Sequence, residues 1–280
     1  NGIRQDSLTL DVLPGGNRTV SVRVLAEDLV SSRTYTVELA RPGCFDPGAY
    51  TIDLSSWTPA ETIAAPTGSL LFLTDAVGKR IQVADLNAGT LMTAGMPYKP
   101  HSLTWGDGVL LAALSTPEVE ADLLAVLDPA SGRIIKIIPV NTEIGHLATD
   151  GVHAFVCGSA RMQSYDLSSG SRLSESYTSS VYDMQYNPAI GMLYTTGYNS
   201  SNAYRVIDGA LSYLDSSTER ANSITVMPDG RQLLLDNGVV LTCSDQAETN
   251  LEYVTRIQGG SLVKADPANN EVYVVSERLV

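Results

Sequence analysis

Along most of this chain one short phrase returns: an apolar or aromatic residue, an aspartate, then a turn of small residues. It reads Ile52-Asp53-Leu54-Ser55-Ser56, Ala84-Asp85-Leu86-Asn87-Ala88-Gly89, Leu127-Asp128-Pro129-Ala130-Ser131-Gly132 and Tyr165-Asp166-Leu167-Ser168-Ser169-Gly170, with weaker copies at Ile207-Asp208-Gly209 and Ser244-Asp245. From Asp85 to Asp128, Asp166, Asp208 and Asp245 the intervals are 43, 38, 42 and 37 residues. A second mark keeps phase with the first: a short alternating strand, a tight turn, then an apolar run. His101 to Trp105 leads to Asp107-Gly108, Gly145 to Thr149 to Asp150-Gly151, and Tyr182 to Tyr186 to Asn187-Pro188. Asn222 to Val226 leads to Asp229-Gly230, and Gly260 to Lys264 to Asp266-Pro267. A short carboxylate can accept the N–H groups of a strand-to-strand turn and glycine supplies positive φ, so each mark reads as a hairpin corner. Two registers recurring together over about 200 residues define a repeat protein built from hairpins.

A repeat of about 40–45 residues holding four short strands is the unit of a β-propeller blade. The combined pattern of strand, Pro-Asp-Gly turn, strand and hydrophobic-x-Asp corner resembles the lactonase-like or YVTN-type β-propeller repeat. The likeness is strongest over Asn222 to Leu235 and Leu124 to Gly132. It implies architecture and leaves activity open, because one fold hosts many functions. Inner strands expected near residues 61, 102, 146, 183, 223 and 261 give five blades and an unfinished sixth. Locally, Thr116-Pro117-Glu118 carries helix-start signals. The repeat phase overrides them and makes Asp122 to Asp128 a strand with a helical turn before it. The strand Ala49 to Leu54 has no place in the first blade and is expected to form the outer part of the last, since an unpaired edge is a liability.

The first forty or so residues read differently. Ser7 to Leu10, Thr19 to Val24 and Thr34 to Leu39 alternate with period two between turn-rich breaks, as in an antiparallel meander. The string Gly16-Asn17, Val24 to Asp28 and Arg33 to Val37 resembles the closing half of a bacterial cadherin-like β-sandwich repeat. The expected fold is therefore all-β: a small partial β-sandwich over residues 1–42, a linker over 43–48, and a β-propeller of about six blades over 49–280. Three strands with one apolar face leave a sandwich edge open, so the chain reads as part of a larger multidomain protein.

Composition removes several classes of function. The net charge is −13, so the electrostatic footprint of a nucleic-acid binder is absent. No run of about 18 apolar residues offers a membrane span. Cys44, Cys157 and Cys243 lie too far apart for a zinc-type spacing and read as small buried hydrophobes, with one disulfide pair as the alternative in an oxidising compartment. There is no phosphate-binding glycine loop, no zinc-protease helix, no calcium-loop motif and no nucleophile elbow. His101, His146 and His153 are the only histidines. His101 and His146 head neighbouring inner strands but differ in register by one residue, which sends them to opposite faces. His153, directly after a turn, reads as a hydrogen-bonded or solvent-facing strand residue.

One aligned column stands out. Ser102, His146, Asp183, Ser223 and Ser261 are all polar, while the next position holds Leu103, Leu147, Met184, Ile224 and Leu262. Alternation of this kind turns the first column to a central channel and packs the second between blades. Channels are ordinarily lined by small polar groups; the sharper reading is a small polar ligand or cation near Asp183 and His146. No catalytic residue, metal or cofactor is assigned. Tyr outnumbers Phe by 13 to 3. Most of Tyr177, Tyr182, Tyr186, Tyr194, Tyr204 and Tyr213 are expected to pack between sheets, with Tyr198 exposed.

The functional expectation is a non-enzymatic extracellular or cell-surface module for binding or assembly. Its partner would be a protein or glycan at the cell surface, or further copies of itself. The alternatives are a lactonase-like propeller hydrolase and a structural subunit of a surface filament or layer.

Overall fold

The computed structural model describes residues 17–25, 32–40, 61–65, 70–85, 88, 90–116, 121–158, 161–178, 180–227, 229–257, 262–266 and 271–275, the first two and last two ranges as backbone. Strands β1 (Asn17–Leu25) and β2 (Ser32–Ala40) pair antiparallel, Val20 opposite Val37. This hairpin and the sheets that follow belong to two different compact units. Its two strands fall where the alternation put them. The expected third strand at Ser7 to Leu10, the linker at 43–48, the strand Ala49 to Leu54, the helical turn at Pro117, Cys44 and Ser261 lie outside the described residues.

Five sheets of four strands follow, and in each the strands lie side by side in chain order. The first holds β3 (Thr62–Ala64), β4 (Leu70–Asp75), β5 (Arg80–Asp85) and β6 (Thr90–Gly95). The second holds β7 (Lys99–Gly106), β8 (Val109–Ser115), β9 (Leu123–Leu127) and β10 (Ile134–Pro139). The third holds β11 (His146–Thr149), β12 (His153–Cys157), β13 (Arg161–Asp166) and β14 (Arg172–Tyr177). The fourth holds β15 (Val181–Asn187), β16 (Met192–Gly197), β17 (Ser201–Ile207) and β18 (Ala210–Ser217). The fifth holds β19 (Ile224–Val226), β20 (Gln232–Leu235), β21 (Val239–Thr242) and β22 (Tyr253–Arg256). A two-stranded sheet, β23 (Leu262–Asp266) and β24 (Glu271–Val275), comes last.

From Asp85 onward the recurring phrases are the corners of these sheets. Asp128 accepts the Ala130 N–H at 3.0 Å and the Ser131 hydroxyl at 2.5 Å in the β9–β10 turn. Asp166 does the same for the Ser169 N–H and Ser168 hydroxyl between β13 and β14. These bonds favour the ionised form and hold both carboxyls below the usual carboxylate range. The second mark closes the first hairpin of the second to fifth sheets. Between β7 and β8, Asp107 and Gly108 sit at φ +44° and +79°, the two positive values that a two-residue primed turn requires.

Burial follows the order of strands. Every residue of β16 is buried and every residue of β22 is exposed. The second strands have sheets on both faces, which is why they read as unbroken apolar runs such as Leu110 to Leu114. Period two then deals alternate side chains to the two neighbours. Leu110, Ala112 and Leu114 of β8 pack with Phe72, Ile81 and Val83 of the first sheet. Leu111 and Ala113 of the same strand pack with Ala154 and Val156 of the third. The pattern repeats between sheets three and four around Phe155, Met184 and Leu193, and between four and five around Tyr194, Leu233 and Leu241. First strands of successive sheets touch in turn, β7 with β11, β11 with β15, β15 with β19. Sheets stacked face to face about their first strands make a β-propeller, here five four-stranded blades and a two-stranded sixth sheet among the described residues.

The tyrosines correct one expectation. Tyr194 and Tyr204 are buried between blades, but Tyr177, Tyr182 and Tyr213 are exposed along with Tyr198. Tyr177 and Tyr213 stand on fourth strands, the outermost of their blades, and their side chains remain exposed there. Strand propensity gave their secondary structure correctly and said nothing about radial position.

Candidate functional site

The first strand of each blade bonds to the second strand along one edge and turns its other edge to the axis. Its inward N–H groups therefore need acceptors from elsewhere. For blades two and five the preceding blade supplies them. Glu61 Oε2 accepts the Leu103 N–H at 2.6 Å, Asp183 Oδ2 accepts the Ile224 N–H at 2.9 Å, and Gln185 Oε1 accepts the Val226 N–H at 3.0 Å. Asp183 Oδ1 also accepts the N–H of Met184 at 2.8 Å. Carboxylates and amides on this axis thus lace one blade to the next.

Ser102, His146 and Asp183 line one cavity of ≈430 Å³, bordered by β3, β7, β11 and β15. Glu61 lines it too, and the sequence column missed it. It precedes a three-residue strand too short to show alternation; the one available signal was an acid just before the first inner strand. Ser102 is buried rather than wet and lines the cavity beside Glu61. Ser223 does not border the cavity: it lies before β19, where its carbonyl accepts the Asp236 N–H at 3.0 Å. The companion column behaves as read, with Leu103, Leu147, Met184 and Ile224 all buried between blades. Ala148, two positions beyond His146 and so on the same face by period two, is buried in the core between blades three and four, so the alternation there is imperfect.

Electrostatics set the charge of this cavity. Burial pushes the Glu61 carboxyl above its ordinary value, and the nearby charge of Asp183 adds to the rise; the Leu103 N–H and Ser102 hydroxyl oppose it. Burial pushes the His146 imidazole down, against the pull of Asp183 and the Val181 backbone. Histidine pairing across the channel does not occur. His101 sits at a bulge of β7, its Nε2 3.1 Å from Asp122 Oδ2, which also accepts the Ile144 N–H at 2.8 Å. His153 Nδ1 lies 2.8 Å from Asp150 Oδ2. Among the described residues no three His, Cys, Asp or Glu side chains are grouped to hold a metal ion, and no helix is long and apolar enough to cross a membrane. Cys157 and Cys243 are free thiols, each pushed up to about 12 by burial.

No protein-family model matches the chain, and no curated protein sequence matches it. Solved structures do match. Hydrazine synthase of Kuenenia stuttgartiensis aligns at 14% identity with a TM-score of 0.56, over 77% of this chain and 73% of that one. A functionally unknown protein from Desulfotomaculum acetoxidans aligns at 13% identity and a TM-score of 0.61, over 75% and 73%. The dihydro-heme d1 dehydrogenase NirN, solved in complex with DHE, aligns at 14% and 0.54, over 75% of this chain and 49% of that one. At these identities the likeness is one of fold: propeller-type proteins share this architecture.

Proposed function

We propose that the chain is a non-enzymatic binding and assembly module of an extracellular or cell-surface protein, meeting a protein or glycan partner. The sequence likeness to lactonase-like or YVTN-type repeats, and to half of a cadherin-like sandwich before them, belongs to this proposal. The observation that carries it is on the rim. The fourth strands β6, β10, β14, β18 and β22 expose large side chains, among them Met92, Ile135, Tyr177, Tyr213 and Tyr253. Scattered exposed apolar residues are ordinary. Their recurrence on successive blades, on strands whose outer edge has no ladder partner among the described residues, is what an adhesive surface requires. Tyrosine suits it, joining a rigid ring to a hydroxyl.

A lactonase-like hydrolase is the second reading, and one observation favours it: Glu61, His146 and Asp183 border the same cavity. Against it, both Asp183 oxygens and Glu61 Oε2 are engaged by backbone N–H groups, as structural acceptors are. The test runs both readings together. Sedimentation velocity and binding to intact bacterial cells are measured for the native chain and for a Tyr177→Ser/Tyr213→Ser/Tyr253→Ser variant, beside hydrolysis of a panel of lactones. Association that weakens in the variant, without lactone turnover, supports the module; turnover that Asp183→Asn abolishes overturns it.

A further inference from the structure

A second cavity, ≈350 Å³, opens where blades four and five meet, lined by Tyr182, Tyr198, Arg220, Asn222, Asp236 and Asn237. Its volume falls at the small end of the roughly 300–1,000 Å³ of ligand pockets, room for a mono- or disaccharide. The walls are held by hydrogen bonds among themselves. Asn222 donates its backbone N–H to Asp236 Oδ1 at 3.1 Å and its side-chain amide to Oδ2 at 3.2 Å. Asn237 donates to the Arg220 carbonyl at 2.8 Å and accepts the Val239 N–H at 3.0 Å. The segment between β18 and β19 is thereby tied to the β20–β21 turn. Tyr182 occupies the bulge of β15 between Val181 and Asp183, a device that redirects a side chain.

What this frame leaves unused decides the ligand. Both oxygens of Asp236 and both polar atoms of the Asn237 side chain are engaged. The Arg220 guanidinium makes no hydrogen bond or ion pair among the described residues, and neither phenol hydroxyl has a partner there. Arg220, Tyr182 and Tyr198 are all exposed. Asn222 Oδ1 and the Asp236 carboxylate keep some acceptor capacity, and the free donors are the two phenols and a planar cation that forks onto a carboxylate. The two exposed rings offer apolar faces beside it. Donors, an uncommitted cation and flat apolar walls match a ring that carries a carboxylate and has a C–H face. The cavity is built from side chains at strand ends and turns, which favours a compact ring over an extended peptide needing a strand to pair with.

We infer that this cavity is a subsite for an acidic saccharide, a uronic-acid residue whose carboxylate is held by Arg220 between Tyr182 and Tyr198. The inference rests on the binding-module reading and names its partner chemistry. With a chain charge of −13, selection of the anion happens at contact rather than by long-range attraction.

The test is calorimetric titration of the native chain with methyl β-glucuronide, methyl β-glucoside and an acetylated Glu-containing tripeptide. Saturable binding of the glucuronide is expected, with the glucoside weaker by about tenfold or more, as loss of a charge-assisted bidentate contact predicts. Arg220→Gln should weaken glucuronide binding by about tenfold or more, Arg220→Lys should restore it only in part, and Tyr198→Ala should weaken it also. Unchanged circular dichroism and urea midpoints would show that these exposed positions leave the fold intact. Equal binding of glucoside and glucuronide, preference for the tripeptide, or no saturation by the glucuronide would each overturn the inference. Such failure leaves the rim-dependent association untouched, whereas lactone turnover would remove the parent reading instead.

Discussion

At the residue scale, the axis shows one side chain serving structure and charge together. His146 was legible from the sequence as a polar residue at an inner position, but its environment was not. Its folded imidazole value lies below the ordinary 6.5, chiefly through burial. A group held down in this way contributes stability above the unfolded value that is lost as pH falls through the window below 6.5, because the unfolded chain then binds the proton more readily. Urea midpoints of the native chain should therefore drop across that window, and His146→Gln should flatten the drop. An identical pH slope in the variant would place the titrating group elsewhere. The two described thiols give a second residue-scale expectation. With both pushed up to about 12 and at least partly buried, Cys157 and Cys243 should resist a thiol reagent in a Cys44→Ser background until urea unfolds the chain. Labelling at the native rate of a free cysteine would contradict this.

At the scale of elements, the corners were the most readable part of the chain, since turn chemistry is local. The same chemistry predicts unequal costs for apparently similar glycines. Gly108, at φ +79°, has open space where a Cβ would go, so Gly108→Ala should cost about 1 kcal/mol, from backbone conformation alone. Gly238, at φ +84°, would drive its Cβ into the carbonyl oxygen of Ile257, and that backbone cannot swing aside. Gly238→Ala should therefore cost roughly 3 kcal/mol or more, conformational strain plus overpacking. Chemical denaturation of the two variants checks the ordering; equal losses would show that the β21–β22 pairing yields more readily than its geometry suggests. The helix-start signals at Thr116 illustrate the limit of local reading. Beyond them β9 runs from Leu123 to Leu127, paired on both sides, because two neighbouring strands reward extension there more than a capped first turn would reward a helix.

At the scale of the whole propeller, cohesion passes from blade to blade, each core shared by two sheets. Repeat architectures of this kind sum nearest-neighbour interfaces. Leu111→Ala and Leu235→Ala lie in separate cores and should each cost about 2–5 kcal/mol, adding in combination to within about 0.5 kcal/mol. Leu111→Ala with Val156→Ala, in one core, should deviate from additivity. Strong coupling between the distant pair would argue for a single undivided core. Period, corner residues and alternation, all local in the chain, were sufficient to establish the hairpins and the blade-packing face at Leu103, Leu147, Met184 and Ile224. They worked because backbone geometry has fixed periods that a one-dimensional pattern can carry. Radial position, the lacing of Glu61 and Asp183 onto the next blade, and the meeting of Tyr182, Tyr198, Arg220 and Asn222 around one cavity depend on residues about forty positions apart. No local pattern encodes such encounters; the angle and spacing at which blades pack decide them.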